Sequence, residues 1–317
     1  MKILVTGGAG FIGYHVSKAL LERGDEVVIV DNLNDYYDVQ IKKDRIKDLG
    51  SNVTFYKIDI SNYEALNMVF KHHKFDKVCH LAAQAGVRYS IENPHAYERA
   101  NGLGSLNVLE CMRHHNVKDL VFASSSSVYG GNKTTPFSVE HNVDSPISLY
   151  AASKRYNELK AHVYHKLYGL NCIGLRFFTV YGNMGRPDMA LYLFTKAILE
   201  NKPIDVFNNG GHERDFTHVS DITHGVLLAL DQVPLHGFQI LNLGNDDTIH
   251  LMDFIGHIER SIGKTAEKNM LPMQKGDVYK THANIEKTKQ VLGWEPKMSV
   301  DKGINEFVSW YRGYHNI

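Results

Sequence analysis

The chain predicts an α/β fold: a doubly wound parallel sheet with a smaller, discontinuous α/β part attached. Three observations carry this. Short apolar runs alternate with segments whose apolar residues recur at helical spacing. Glycines crowd the first strand-to-helix turn, and polar residues collect where the predicted strands end. Repeated βα units imply a parallel sheet that binds ligands outside the carboxyl ends of its strands.

Ile3, Leu4 and Val5 read as a buried strand, and Phe11 to Arg23 as a helix, with Gly7, Gly8, Gly10 and Gly13 punctuating the turn between them. Strand, glycine turn and helix together set backbone N–H groups and a helix N-terminus against a pyrophosphate. Gly7, Gly10, Phe11, Ile12 and Gly13 are therefore candidate cofactor contacts, and the sheet is of Rossmann type. Gly24 and Asp25 turn the chain into the second strand, which ends at Asp31, 18 residues beyond Gly13. An acid there accepts hydrogen bonds from an adenosine ribose, with Asn32 beside it. No arginine follows in Asn32-Leu33-Asn34 to clamp a 2′-phosphate, which favours NAD over NADP.

The third strand, over residues 53–60, ends in Asp59 and Ile60, suited to an adenine amino group and the ring edge. The fourth, over 77–83, ends in Leu81, Ala82 and Ala83, small enough for a cofactor to pass closely. Residues 119–125 and 171–178 read as the fifth and sixth strands, with helices over 62–73, 95–115 and 149–168. Beyond Thr179 the pattern turns irregular. A Gly/Pro/Asn-rich loop over 181–188 leads to a helix over 189–200, a strand over 204–207 and a polar stretch over 208–215. A helix over 219–232 and a strand over 239–243 return to the main sheet, and short helices fill 250–317. The division expected is 1–178, with 215–245 returning to it, as the nucleotide-binding domain, and 179–214 with 246–317 as the second domain.

Equal numbers of basic and acidic residues (35 each) give no general electrostatic case for a nucleic acid or an anionic membrane as partner. No apolar run approaches a membrane span, and a strand at the N-terminus leaves no room for a signal peptide. Cys79, Cys111 and Cys172 are scattered, which fits reduced core cysteines and a cytoplasmic location. Glu158, His162 and His165 share a helix face but are expected to be exposed helix residues, so no metal is expected.

Tyr150 and Lys154 stand one helical turn apart on one face. A nearby cation favours the phenolate, producing a base able to take a hydroxyl proton while hydride leaves the same carbon. Tyr-x-x-x-Lys also occurs at Tyr14/Lys18, Tyr129/Lys133, Tyr156/Lys160 and Tyr192/Lys196, but only Tyr150/Lys154 opens a helix between two predicted core strands. The serines 124–127, at the end of the fifth strand, supply a hydroxyl for a reacting oxygen.

These stretches, with Asp59-Ile60, Leu81-Ala82-Ala83, Val128-Tyr129-Gly130 and Arg176-Phe177-Phe178, resemble the extended short-chain dehydrogenase/reductases acting on nucleotide sugars. The likeness covers nearly the whole chain. Residues 31–39, 83–90, 176–182 and 185–190 are most similar to the UDP-glucuronate 4-epimerases. The resemblance implies an NAD-retaining C4 epimerase converting UDP-glucuronate to UDP-galacturonate through a 4-keto sugar. Ser125, Tyr150 and Lys154 would be catalytic, with Ser126 the reserve for Ser125. It also implies cofactor contacts from Gln84, Asn101, Ser124 and Phe178. Gln84, Arg88 and Ser90 would lie beside the sugar, and Thr179 and Arg186 would hold the carboxylate. Phe194, Val206 and Phe207 would contact the uracil, Arg214 the diphosphate and Asp277 the uridine ribose. A homodimer through the helices over 95–115 and 149–168 is implied as well. Ser126 and Ser127 stand where sugar 4,6-dehydratases need an acid pair, and the glutamate that UDP-glucuronate decarboxylases generally carry in that region is also missing. Two readings stay open: a 4-epimerase of neutral UDP-hexoses, and an NAD-binding protein without catalysis.

Overall fold

The computed structural model describes residues 1–274 and 276–317. The chain begins with β1 (Lys2–Thr6), α1 (Phe11–Glu22), β2 (Glu26–Asp31), α2 (Val39–Leu49), β3 (Val53–Lys57), α3 (Tyr63–His72) and β4 (Lys77–His80). Short α4 (Tyr89–Glu92) and α5 (Pro94–Tyr97) lead through a π-helical run, Glu98–Gly104, into α6 (Ser105–His114). Then come β5 (Asp119–Ser125), α7 (Leu149–Tyr168), β6 (Asn171–Phe177), β7 (Thr179–Tyr181), α8 (Ala190–Leu199) and β8 (Ile204–Val206). The remainder comprises β9 (Glu213–Arg214), β10 (Phe216–His218), α9 (Val219–His236), β11 (Phe238–Leu243), β12 (Ile249–His250), α10 (Leu251–Ile262), β13 (Lys268–Met270), α11 (Glu286–Leu292) and α12 (Val300–His315).

Seven strands form one parallel sheet in the order β11-β6-β5-β4-β1-β2-β3. Strand geometry sends successive side chains to opposite faces, and the apolar runs use both. Ile3, Val5, Val27, Ile29, Cys79, Val121 and Ile173 join the core beneath α1 and α9. Leu4, Val28, Val30, Val78, Leu120, Phe122 and Cys172 join the core shared with α3, α6 and α7. Each such fully buried side chain stabilises the fold by roughly 1.5–3 kcal/mol. A third cluster gathers α8, β8, α10 and α12 around Phe216, Phe254 and Phe307. The sheet thus fixes one row of strand ends, and the third cluster faces it across a cleft.

The expected strands and helices are present, with differences in extent and number. Strands β3 and β4 stop at Lys57 and His80, short of the expected 60 and 83. Helices α10 and α12 run to 12 and 16 residues where short helices were expected. Helix α2 was not expected, because its few apolar residues are spread among lysines and aspartates. The helix expected over 95–115 is interrupted by the π-helical run. Strand β8 stops at Val206, with Phe207 opening a short 3₁₀ turn. Helix α9 continues past Gln232 to His236 although Pro234 cannot donate to the Leu230 carbonyl. Lys77 takes that carbonyl instead, its Nζ donating at 2.6 Å. All three cysteines are free and buried. Among the described residues no helix is long and apolar enough to cross a membrane, and no His/Cys/Asp/Glu group suits a metal.

Candidate active site

The cleft encloses about 950 Å³ and is lined from both sides, a size suited to a bound cofactor and substrate. At its floor, α1 begins at Gly10 with no side-chain cap, so its first N–H groups point into the cleft. Gly7 holds φ at +73°, and a Cβ there would lie 2.6 Å from the Ala82 nitrogen. A Cβ on Gly13 would lie 2.1 Å from the Gly7 carbonyl oxygen. The turn therefore closes only with glycine at these positions. Gly10, Phe11, Ile12, Leu81, Ala82, Ala83, Gln84 and Phe178 line the same wall.

Asp31 accepts from the Leu33 N–H at 2.8 Å and the Ala9 N–H at 3.1 Å. Burial pushes its carboxyl above the ordinary value, opposed by the Leu33 N–H and the nearby Lys42 charge. Lys42, on α2, lines the cleft and donates to the Asn34 carbonyl and side chain, both at 2.6 Å. A cation thus stands near Asp31, brought by a helix the sequence did not announce. Asn32 donates to Asp59 at 3.1 Å, and Asp59 and Ile60 line the cleft beside Asp31.

At the carboxyl end of β5, Ser125, Ser126 and Ser127 line the cleft with Tyr150 and Lys154. Helix α7 starts where expected because Ser148 caps it, accepting from the Ala151 N–H at 3.1 Å. Ser125 Oγ accepts from the Ser127 N–H at 3.1 Å. Burial pushes the Tyr150 phenol above its ordinary value, while a hydrogen bond with Ser125 and the Arg186 charge pull it down. Lys154 was expected to be the cation lowering this phenol. Its Nζ instead donates to the Ala123 carbonyl at 2.9 Å, 6.0 Å from the Tyr150 ring centre. Burial, with Lys160 close by, lowers Lys154 to about 8.

Beneath these serines lies a buried ion pair. Arg176 donates to Glu158 from Nε at 2.8 Å and Nη2 at 2.9 Å, and Ser124 Oγ donates to the same carboxylate at 2.6 Å. Glu158 is only 1% exposed, so its expected place on a solvent-facing helix surface is corrected. It faces inward because the arginine that neutralises it comes from β6.

On the opposite wall, Thr179, Arg186, Phe194, Phe207, Arg214 and Asp277 line the cleft, with Arg88 reaching over from the sheet side. Arg186 donates to Asp188 from Nε at 3.0 Å and Nη2 at 2.5 Å. Arg214 donates to Asp277 at 2.8 Å, and Arg88 approaches the same carboxylate at 3.8 Å while stacking on the Phe207 ring at 5.0 Å. Three expected residues do not line the cleft. Ser90 is buried, its hydroxyl donating to the Val87 carbonyl at 2.5 Å. Asn101, on the π-helical run, accepts from the Gln84 N–H at 2.8 Å and donates to Ser153, so it holds the cleft wall from behind. Val206 is packed into the third cluster, and its neighbours Asp205 and Phe207 face the cleft in its place.

A family profile described as GDP-mannose 4,6 dehydratase matches residues 4–307. The chain belongs to this family. Its sequence is 47% identical to the UDP-glucuronate 4-epimerase of Thermodesulfobacterium geofontis, over 97% of this chain and 95% of that one. The crystal structure of UDP-glucuronic acid 4-epimerase from Bacillus cereus, in complex with UDP-glucuronic acid and NAD, is similar with a TM-score of 0.93. There the identity is 34%, over 99% of this chain and 100% of the other. The UDP-glucose 4-epimerase of Thermotoga maritima with UDP-glucose has a TM-score of 0.92 at 32% identity, over 99% and 100% of the two chains. The family, the Rossmann-type sheet and the epimerase resemblance drawn from the sequence are borne out.

Within this member of the family, Tyr36, Lys42, Asp188 and His212 also line the cleft and escaped the sequence reading. Tyr36 and Asp188 fell inside stretches that carried the resemblance, so a signal for them existed. His212 stood two residues before Arg214 without any pattern to single it out.

Proposed function

We propose that the chain catalyses NAD-dependent C4 epimerisation of UDP-glucuronate to UDP-galacturonate through a 4-keto sugar. The observation that carries this reading is that Arg186 and Thr179 line the same cleft as Tyr150 and Ser125. A guanidinium suited to a carboxylate thus stands opposite a base suited to a sugar hydroxyl. The 47% identity to a UDP-glucuronate 4-epimerase supports it. The serines after β5, in place of an acid, support epimerisation over dehydration. Residues 1–178 with 215–245 would hold the cofactor, and 179–214 with 246–317 the UDP-sugar.

The glycine turn and the residues around Asp31 and Asp59 fit a dinucleotide. The free N–H groups of α1 suit a pyrophosphate, and Asp31 suits a ribose that carries no phosphate. When bound, NAD accepts a hydride from sugar C4 and returns it to the other face. Tyr150 takes the C4 hydroxyl proton and gives it back, and Ser125 steadies the same oxygen. The Ser125 hydroxyl and the Arg186 charge oppose the rise that burial gives the phenol, and Lys154, anchored on Ala123, contributes its own charge beside the nicotinamide ribose. Thr179 and Arg186 restrain the sugar carboxylate, which lies β to the transient ketone and would otherwise be prone to leave as CO2. Arg214 suits the diphosphate.

The same reading places the enzyme in the cytoplasm, where three buried free thiols are at home. It also makes the enzyme a homodimer. Tyr156, Leu159, Val163 and Leu167 form an exposed apolar stripe along α7 that a second copy would cover. The test is to incubate purified protein with UDP-glucuronate and follow the C4 configuration by NMR and reduced cofactor by absorbance. UDP-galacturonate without net NADH is expected. Turnover of UDP-glucose at a higher kcat/KM would favour the neutral-hexose reading, which the Asp188 counter-charge on Arg186 makes specific.

A further inference from the structure

Arg186 is buttressed from two directions. Asp188 takes the edge of the guanidinium formed by Nε and Nη2. A guanidinium has a second bidentate edge, formed by Nη1 and the other Nη2 hydrogen. Among the described residues no protein acceptor bonds Nη1, and Arg186 lines the cleft. The Asp188 carboxylate is itself held from across the cleft by the Tyr36 hydroxyl, which donates at 3.1 Å over 152 residues of sequence.

Tyr36 is fixed in turn. Its ring lies 4.8 Å from the Tyr89 ring, and its hydroxyl sits against Gly86, where a Cβ would come within 2.6 Å of the oxygen. Gly86 holds φ at +102°, so both the backbone shape and the space for Tyr36 call for glycine. The guanidinium also lies over the Tyr36 ring, its carbon 5.8 Å from the centre.

We propose that Tyr36 and Asp188 are specificity-determining positioning residues that turn the free edge of Arg186 towards the sugar carboxylate. The inference rests on the uronate reading of the site. Asp188 fixes the rotation of the guanidinium, and Tyr36 fixes Asp188, so a residue of the nucleotide-binding part sets which sugar the other wall accepts. A neutral hexose presents a hydroxymethyl group there and gains little from this alignment. Loss of the Tyr36 hydroxyl should therefore weaken binding of the uronate selectively.

The test measures Kd for UDP-glucuronate, UDP-glucose and UDP by calorimetry, on protein carrying its cofactor and Tyr150→Phe to stop turnover. Tyr36→Phe is expected to weaken UDP-glucuronate about tenfold, as befits a hydrogen bond to a charged group. UDP and UDP-glucose should change less than twofold. Asp188→Asn should weaken UDP-glucuronate at least as much, and the double variant no more than Asp188→Asn alone, because both act through one contact. An unchanged Kd for UDP-glucuronate in Tyr36→Phe overturns the inference, as does equal weakening of all three ligands. If the Tyr36-containing protein binds UDP-glucuronate no tighter than UDP-glucose, the uronate reading falls and this inference with it. If it prefers UDP-glucuronate and Tyr36→Phe keeps that preference, the inference alone falls.

Discussion

Around the glycine turn the cleft is shaped by backbone, whereas around Arg186 and Asp277 it is shaped by charged side chains brought from distant segments. At the first end, Gly7 meets Ala82 and Gly13 meets the Gly7 carbonyl, with no room for a side chain. At the second, Arg186 pairs with Asp188, and Arg214, Arg88 and His212 all face Asp277, at 2.8, 3.8 and 3.5 Å. Backbone contacts of the first kind tolerate one cofactor shape. Partly exposed ion pairs contribute little to stability and can exchange partners for a ligand's charges. A retained cofactor suits the first construction, and a substrate that must enter and leave suits the second.

Glu158 is where this contrast can be broken, because with Arg176 it forms a fully buried ion pair beneath the serines, on the sheet side of the cleft. Glu158→Ala would leave Arg176 without its counter-ion and Ser124 without its acceptor. The expected loss is about 3–5 kcal/mol of stability, read as a fall in Tm and in the denaturant midpoint. A loss below about 1 kcal/mol would mean that side-chain charge matters no more here than around Arg186 and Asp277.

Gly13→Ala sharpens the comparison from the steric side. The added methyl can be accommodated only by moving the Gly7 carbonyl, since the clash is with backbone. Stability should fall by roughly 1–3 kcal/mol, and the purified protein should retain less NAD per chain. Asp277→Asn is the matching change at the other end. It should leave Tm nearly unchanged and weaken UDP by about tenfold, measured by calorimetry, through loss of the acceptor that aligns Arg214. A large fall in Tm with unaltered UDP affinity would invert the assignment of structural and binding roles.

The same contrast explains what could be read from the sequence. The strands, the glycine turn and Tyr150/Lys154 follow local rules, namely apolar runs, turn chemistry and a spacing of one helical turn. Those rules placed Asp31, Asp59 and the serines along one edge of the sheet, at the carboxyl ends of its strands. The Asp188–Tyr36 bond joins segments 152 residues apart, and no periodicity encodes which tyrosine meets which carboxylate. Glu158 was misplaced for a related reason: its neighbours His162 and His165 suggested an outer face, while its partner Arg176 lay on the next strand. Asn101 and Ser90 were near the right place in the chain, but their orientation depended on a π-helical widening and on a local hydrogen bond to Val87. Side-chain direction, more than position, was the illegible part.

Two lysines supply the smallest effect and a change of sign. Burial holds Lys154 and Lys160 at about 8, below the ordinary 10.5, and the Lys160 charge lowers Lys154 further. Between about pH 8 and 9 the unfolded chain keeps protons that the folded chain has released, so stability should rise with pH. From pH 9 upward the thiols act the other way. Burial pushes Cys111 and Cys172 up to about 12, and Cys79 up as well, so the folded chain then holds the extra protons and the rise should stop or reverse. Lys160, which donates to the Gly102 carbonyl at 2.6 Å, lies outside the cleft wall, so its change reaches the proposed chemistry only through the charge of Lys154. Lys160→Met should flatten the rise between pH 8 and 9 by about 1 kcal/mol, measured by urea unfolding at each pH. An unaltered slope would place the proton release elsewhere, and would leave the charge on Lys154 undisturbed by its neighbour.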